Sequence, residues 1–85
     1  MEINELKDTI SLMQSEDFRE RFLAEYYQLK IRRDKLSSML FKLERGQLNF
    51  VPSCPKVLLE EQLKTMNKMM GLLEARAVIE NIKLD

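Results

Sequence analysis

Apolar residues recur at intervals of three and four along most of this chain, which keeps their side chains on one face of an α-helix. The longest such stretch has its seam at Phe22, Tyr26, Leu29, Leu36, Leu40 and Leu43. Only Arg33 interrupts this seam. Ser15 is the expected N-cap, and Gly46 stands where a left-handed C-cap residue is needed. The pattern predicts one long helix over residues 16–45.

A second long helix is predicted over residues 56–80, after a connector at residues 46–55. Its apolar seam consists of Leu59, Leu63, Met66, Met70, Leu73 and Ala77. The two matching seams favour an antiparallel helical hairpin. A further apolar set, here called the outer stripe, lies on another face and consists of Leu58, Met69, Leu72 and Ile79. A hairpin alone leaves the outer stripe uncovered, which favours contact with the first helix or with a second copy.

The N-terminal segment, residues 1–14, has apolar residues at Ile3, Leu6, Ile10 and Met13. This spacing predicts a short amphipathic helix, which is too short to be stable alone and must dock on the hairpin or on a neighbouring subunit. The predicted fold is therefore all-α. It is one domain over residues 1–85, with a short N-terminal helix and a long antiparallel helical hairpin, assembling as a homo-oligomer.

Composition supports assembly and excludes several function classes. With 85 residues, one cysteine and no histidine, the chain has neither a disulfide nor a usual metal site to stabilise a small core, so oligomerisation is favoured. Fourteen basic and fourteen acidic residues give a net charge of zero, which argues against binding to DNA or RNA polymers. No apolar run is long enough for a membrane span and no secretory signal is evident, so we expect a cytoplasmic protein.

No catalytic arrangement is evident in the sequence. The sequence offers no evident pair of nucleophile and general base, because histidine is absent and the lone cysteine, Cys54, lies in the connector between serine and proline. The chain also has no metal-ligand spacing and no glycine-rich phosphate loop. We therefore expect no enzymatic activity, no metal and no cofactor.

Basic and aromatic residues on the long helix suggest a different kind of chemistry. Arg32 and Lys35 are three residues apart and share one face, and Arg21 lies on the same helix some turns earlier. Either these cations form solvent-exposed salt bridges or they bind an anion. Phe18 and Tyr26 are among four aromatic residues crowded near Arg21, and an aromatic ring beside a cation suits a nucleobase and its phosphate. Core packing is the alternative for Tyr26.

Two arginines interrupt apolar faces. Arg33 lies in the seam of the long helix, so its head either reaches solvent or meets an anion or a carboxylate. Arg76 interrupts the outer stripe. In an oligomer several copies of Arg76 would converge, which requires carboxylate partners such as Glu80 or an anionic ligand.

Three segments resemble a known family; they are RFLAEYYQLKIRRDKL, LNFVPSCPKVLLEEQLKTM and LLEARAVIENIKL. They are similar to small phage-encoded helical-hairpin proteins, the anti-CBASS cyclic-nucleotide sponges, which share a hairpin with the N-terminal part of one Thoeris anti-defence family. The resemblance covers residues 18–84. It implies a homohexamer in the host cytoplasm that sequesters cyclic di- or trinucleotides, so that a bacterial immune effector is never switched on.

The resemblance also implies site residues. An aromatic residue early in the chain stacks a base and a lysine on the long helix holds phosphate; by position these are Phe18 and Lys35, with Arg32 as the neighbouring choice. A second kind of site, for cyclic trinucleotides, uses an arginine that corresponds to Arg76. The chain departs from the family in having no hydroxyl on Phe18 and in having Met69 where an aromatic is frequent. The alternative function is a structural or protein-binding helical oligomer of phage origin.

Overall fold

Helices account for all the regular secondary structure in the computed structural model, which describes residues 2–84. They are a 3-10 helix at Leu6–Thr9, α1 at Ile10–Met13, α2 at Phe18–Glu44 and α3 at Lys56–Ile79. These residues contain no β-strand. The prediction of an all-α chain is therefore confirmed. None of the helices in residues 2–84 has an apolar stretch long enough to cross a membrane.

The start of α2 differs from the prediction. Asp17, not Ser15, is the N-cap, because its Oδ1 accepts a hydrogen bond from the backbone N–H of Arg19 at 2.9 Å. The Ser15 hydroxyl instead accepts from the N–H of Asp17 at 3.1 Å and so orders the turn before the helix. Both residue types cap helices well. Asp17, the later of the two in the sequence, is the cap here, so α2 begins at Phe18 rather than at residue 16.

Both long helices end in a residue with positive φ. Gly46 has φ 68°, as its position predicted, and the N–H of Gln47 donates to the carbonyl oxygen five residues earlier at 2.8 Å. Asn81 has φ 59° at the end of α3, and the N–H of Ile82 makes the same bond at 2.8 Å. This hydrogen-bond pattern is that of the Schellman motif. It turns the chain after α3 back toward the core, where Ile82 is 7% exposed.

The helices α2 and α3 pack against each other and run in opposite directions. Residue numbers rise on α2 while they fall on α3 in three side-chain contacts, which are Tyr26–Glu74 at 3.2 Å, Arg33–Asn67 at 3.1 Å and Glu44–Lys56 at 3.3 Å. The molecule is correspondingly elongated, with extents of 43 × 24 × 19 Å. The register of the contacts decides which residues of one helix face the other.

The main buried cluster lies at the end of the molecule where α2 begins and α3 ends. It consists of Phe22, Tyr26, Met70, Leu73, Ala77 and Ile82. At the other end the helices enclose a groove of about 480 Å³, lined by Leu40, Phe41 and Leu63 among others. Side-chain packing is therefore concentrated at the end that also carries Arg76.

The N-terminal segment is less regular than the predicted helix over residues 1–14. Its buried residues are Thr9 and Leu12, whereas Ile10 and Met13 of the predicted apolar face are half exposed. The reason is the 3-10 turn, whose three residues per turn rotate the following residues relative to an α-helix. Gln28 of α2 donates from Nε2 to the Thr9 hydroxyl at 2.9 Å. The segment thus packs on α2 and leaves the outer stripe of α3 uncovered.

Candidate ligand-binding site

Arg76 presents a charged, partly exposed group on a rigid support. It lies in the last turn of α3, and the carbon of its guanidinium lies 4.9 Å from the centre of the Phe22 ring on α2. Phe22 is only 5% exposed, so the ring is fixed by the core. The Arg76 side chain remains 52% exposed. A cation stacked on an aromatic face is held in position while its outer edge faces solvent.

The partner of Arg76 in the chain is Glu80, one turn later. The Nε of Arg76 donates to Oε2 of Glu80 at 2.8 Å, and its Nη2 donates to Oε1 at 3.4 Å. This hydrogen bonding raises the pKa of Arg76 above its usual value and lowers the pKa of Glu80 below its usual range. Glu80 was one carboxylate expected to partner Arg76, and the two side chains form this pair within one chain.

Phe18 and Arg21 lie in the first turn of α2, at the same end of the molecule as Arg76. Phe18 is 49% exposed, and the guanidinium of Arg19 lies 5.3 Å from the centre of its ring. Arg21 donates from Nη1 to the carbonyl oxygen of Ser15 at 2.7 Å and so braces the turn before the helix. This end of the protein therefore combines exposed aromatic surface with three guanidinium groups.

Tyr26 belongs to the core rather than to an open surface. It is 6% exposed, and its hydroxyl donates to Oε2 of Glu74 at 3.2 Å. Burial, reinforced by the bond to Glu74, raises the pKa of Tyr26. Its ring contacts the Tyr27 ring edge-on, with 5.4 Å between centres. Of the two interpretations that the sequence left open for Tyr26, the structure favours packing.

Arg32 and Lys35 are exposed on α2 but lie away from Arg76. Counted from Phe22, which contacts Arg76, they are ten and thirteen residues farther along, or about 15 and 20 Å at the helical rise per residue. Phe18 and Lys35 are separated by seventeen residues of α2, about 25 Å. The roles assigned to them stay predictions, and one chain does not bring the two side chains together.

Arg33 is satisfied within the chain. Its Nε donates to Oδ1 of Asp34 at 2.9 Å, and its Nη1 donates to Oδ1 of Asn67 on α3 at 3.1 Å. The side chain is 27% exposed. Asp34 also lies 3.6 Å from the ammonium group of Lys30. Arg33 and Lys30 are therefore both paired with the carboxylate of Asp34.

Two contacts near the candidate site, Arg76–Phe22 and Tyr26–Glu74, were not evident from the sequence. Phe22 was expected in the core, where it lies, but its second role as a platform for Arg76 depends on the register between α2 and α3. The Tyr26–Glu74 bond depends on the same register. Within residues 2–84, no three acidic or cysteine side chains lie close enough together to hold a metal ion.

Comparison with family models relates the chain to a known group. A family model described as Sequestin matches residues 16–79. The chain belongs to the Sequestin family. The match spans all of α2, the connector and α3, and it ends before Glu80, so the Sequestin segment is the paired helices without the N-terminal turn. Neither the curated proteins nor the solved structures contain a significant match to this chain.

Proposed function

We propose that the protein is a phage anti-defence protein that binds and sequesters cyclic di- or trinucleotide immune signals without cleaving them. The family description, Sequestin, agrees with sequestration, and the resemblance of the chain to cyclic-nucleotide sponges supplies the ligand class. The observation that carries the proposal is the exposed guanidinium of Arg76 stacked on Phe22. Its planar array of N–H donors matches the oxygens of a phosphodiester.

Binding without turnover is consistent with the chemistry available. The chain has no histidine, and its cysteine is exposed in the connector. A sponge requires affinity alone, which cations and aromatic rings supply. The protein would act in the cytoplasm of the host cell, where such signals are made.

The proposed binding unit is a homo-oligomer, with a hexamer implied by the resemblance. Phe18 and Lys35 lie about 25 Å apart along α2, so one small ligand that contacts both must lie between two copies. The outer stripe gives a reason for association, because Leu58, Met69, Leu72 and Ile79 are all exposed in the single chain. Symmetry would then repeat each cation around a cyclic anion.

Native mass spectrometry with a panel of cyclic di- and trinucleotides tests the proposal, since it reads subunit number and ligand stoichiometry together. We expect an oligomer that retains at least one nucleotide, which is recovered intact after the protein is denatured. Recovery of a hydrolysed nucleotide would contradict the proposal that the protein does not cleave its ligand. An oligomer that retains none of the panel would contradict the ligand class.

Arg76→Ala should then reduce binding of a nucleotide held at this arginine. Arg45→Ala is a matched control, because the guanidinium of Arg45 also lies over a phenylalanine ring, that of Phe41 at 4.5 Å, but at the opposite end of α2. We expect roughly a tenfold or larger loss for Arg76→Ala, the scale of one lost charge-assisted hydrogen-bonding group. Arg45→Ala should change affinity less than twofold. Equal losses in both variants would indicate a general charge effect.

A structural or protein-binding helical oligomer is the second candidate, and the exposed outer stripe favours it. Such a protein would keep its assembly and its partner in Arg76→Ala and Lys35→Ala. It would lose them when the outer stripe is disrupted. The two candidates therefore differ in which substitution abolishes function.

A further inference from the structure

Glu80 occupies the edge of Arg76 that an anionic ligand would use. Its two carboxylate oxygens accept from Nε at 2.8 Å and from Nη2 at 3.4 Å. A phosphodiester also presents two oxygens to a guanidinium and prefers the same paired geometry. Phe22 covers one face of the guanidinium. A phosphate that makes a two-pronged contact through Nε must therefore displace Glu80.

The backbone of Glu80 is held in place, so its carboxylate can re-form the same bonds to Arg76 after a ligand leaves. Glu80 is the C-cap of α3, and its N–H donates to the carbonyl oxygen of Arg76 at 2.8 Å. The next residue, Asn81, has φ 59°, and Ile82 is buried in the core cluster. The left-handed residue and the buried anchor hold the end of α3, and only the Glu80 side chain is left to move.

The carboxylate of Glu80 stands at a position where a helix tolerates negative charge only beside a cation. The C-terminal end of a helix carries partial negative charge, so an acidic residue there is unfavourable unless a cation compensates it. Arg76 supplies that cation. The pair is exposed to solvent, with 52% of the Arg76 side chain and 29% of the Glu80 side chain accessible. Exposed ion pairs are weak, so a ligand with several contacts can separate this one.

We propose that Glu80 is an internal competitor for Arg76, which holds the guanidinium over Phe22 in the ligand-free chain and is displaced when a phosphodiester binds. This inference rests on the proposed function. Competition lowers the affinity of Arg76 for every anion by the same factor. Simple phosphates with one contact then bind too weakly to fill the site, whereas a cyclic nucleotide held by several groups still binds.

Isothermal titration calorimetry with cyclic tri-AMP as the probe tests the competition. Glu80→Gln removes the charge and keeps the size of the side chain. We expect the Kd of this variant to be roughly three- to tenfold lower than that of the wild type, the range set by a weak exposed ion pair and the lost repulsion between carboxylate and phosphate. Circular dichroism of both proteins should confirm equal helix content.

Glu25→Gln is the matched control. The negative charge of Glu25 on α2 raises the pKa of Arg76, but less than the hydrogen bond to Glu80 does. Its removal should change the Kd less than twofold. Equal tightening by Glu25→Gln and Glu80→Gln would overturn the inference, because a general electric field rather than competition for one edge would then limit binding.

The remaining outcomes separate the inference from the proposed function. If the wild type binds cyclic tri-AMP and Glu80→Gln binds it equally or more weakly, the competitor role is wrong and sequestration stands. If neither protein binds, the proposed use of Arg76 for cyclic trinucleotides fails, and the competitor role fails with it. The Arg76 Nε–H signal in proton–nitrogen NMR gives a further measure, since we expect ligand-free Glu80→Gln to lose the shift caused by the carboxylate.

Discussion

Leu73 is the least exposed apolar residue in the part of the chain that the structure describes. It is 1% exposed and belongs to the core cluster. Leu73→Ala should lower the free energy of unfolding by about 2–5 kcal/mol, from lost burial and the cavity left behind. A chain of this length has a total stability of roughly 4–13 kcal/mol. Urea unfolding followed by circular dichroism, at one protein concentration, measures the difference.

Val78→Ala controls for the loss of apolar side-chain atoms on the same helix. Val78 is 80% exposed and lies outside the outer stripe. Its truncation should change the free energy of unfolding by less than about 0.5 kcal/mol, as for most surface substitutions. A loss of stability in Val78→Ala as large as that in Leu73→Ala would mean that the face of α3 around Val78 is covered in solution.

The N-cap of α2 is Asp17 rather than the predicted Ser15, and substitutions of Asp17 test this difference. Asp17→Ala removes the bond to the N–H of Arg19 and should cost about 1 kcal/mol of stability. Asp17→Asn keeps an accepting oxygen and should cost much less. Thermal unfolding of the two variants provides the comparison. Stability that falls equally in both would show that charge rather than hydrogen bonding matters at this position.

The elements themselves could largely be predicted from the sequence. The seams of both long helices and the left-handed position of Gly46 follow from spacing and residue type, since they depend on local geometry. The N-terminal segment could not, because α-helical and 3-10 turns differ in which residues face inward. Thr9 is fully buried there, with its hydroxyl bonded to the carbonyl oxygen of Leu6 at 2.7 Å and to Gln28. A periodicity of apolar residues does not indicate a buried threonine.

The candidate site was predictable only in part, because some of its contacts depend on one helix and others on how two helices pack. The need of Arg76 for a carboxylate follows from charge, and Glu80 lies one helical turn away, so the pair follows from one helix. The stacking of Arg76 on Phe22 requires the register between two helices, which the connector and the packing set together. The distance between Phe18 and Lys35 follows from the helix alone and shows that a shared site needs two copies.

The two glycines make a matched test of helix interior against helix end. Neither has a neighbouring atom within 4 Å of an added Cβ, so the backbone alone decides the outcome. Gly46→Ala forces alanine into φ 68° and should destabilise the protein by about 1 kcal/mol. Gly71→Ala lies within α3 and should stabilise it by about 0.5–1 kcal/mol. Urea midpoints should move in opposite directions. A destabilised Gly71→Ala would show that another helix crosses close to α3 at this point.

At the scale of the whole molecule, the outer stripe is the feature that a single chain leaves unexplained. Its four members are 38–83% exposed, and the N-terminal segment packs on α2 instead of covering them. Exposed apolar residues on one helix face mark an interaction surface. We infer that the stripe is covered in the assembled protein, because so small a chain gains stability by association.

Met69→Asp tests this inference, because a buried, unpaired carboxylate in an interface is costly. Sedimentation or light scattering should give Met69→Asp a lower molecular mass than the wild-type assembly, and circular dichroism should show that its α-helix content is retained. Val78→Asp places the same charge on the opposite side of α3 and should leave the assembly intact. If Met69→Asp assembles normally, the stripe does not join copies of this chain. If Met69→Asp separates into single chains that still bind nucleotide as tightly as the wild type, the site does not lie between copies, and one ligand does not contact both Phe18 and Lys35.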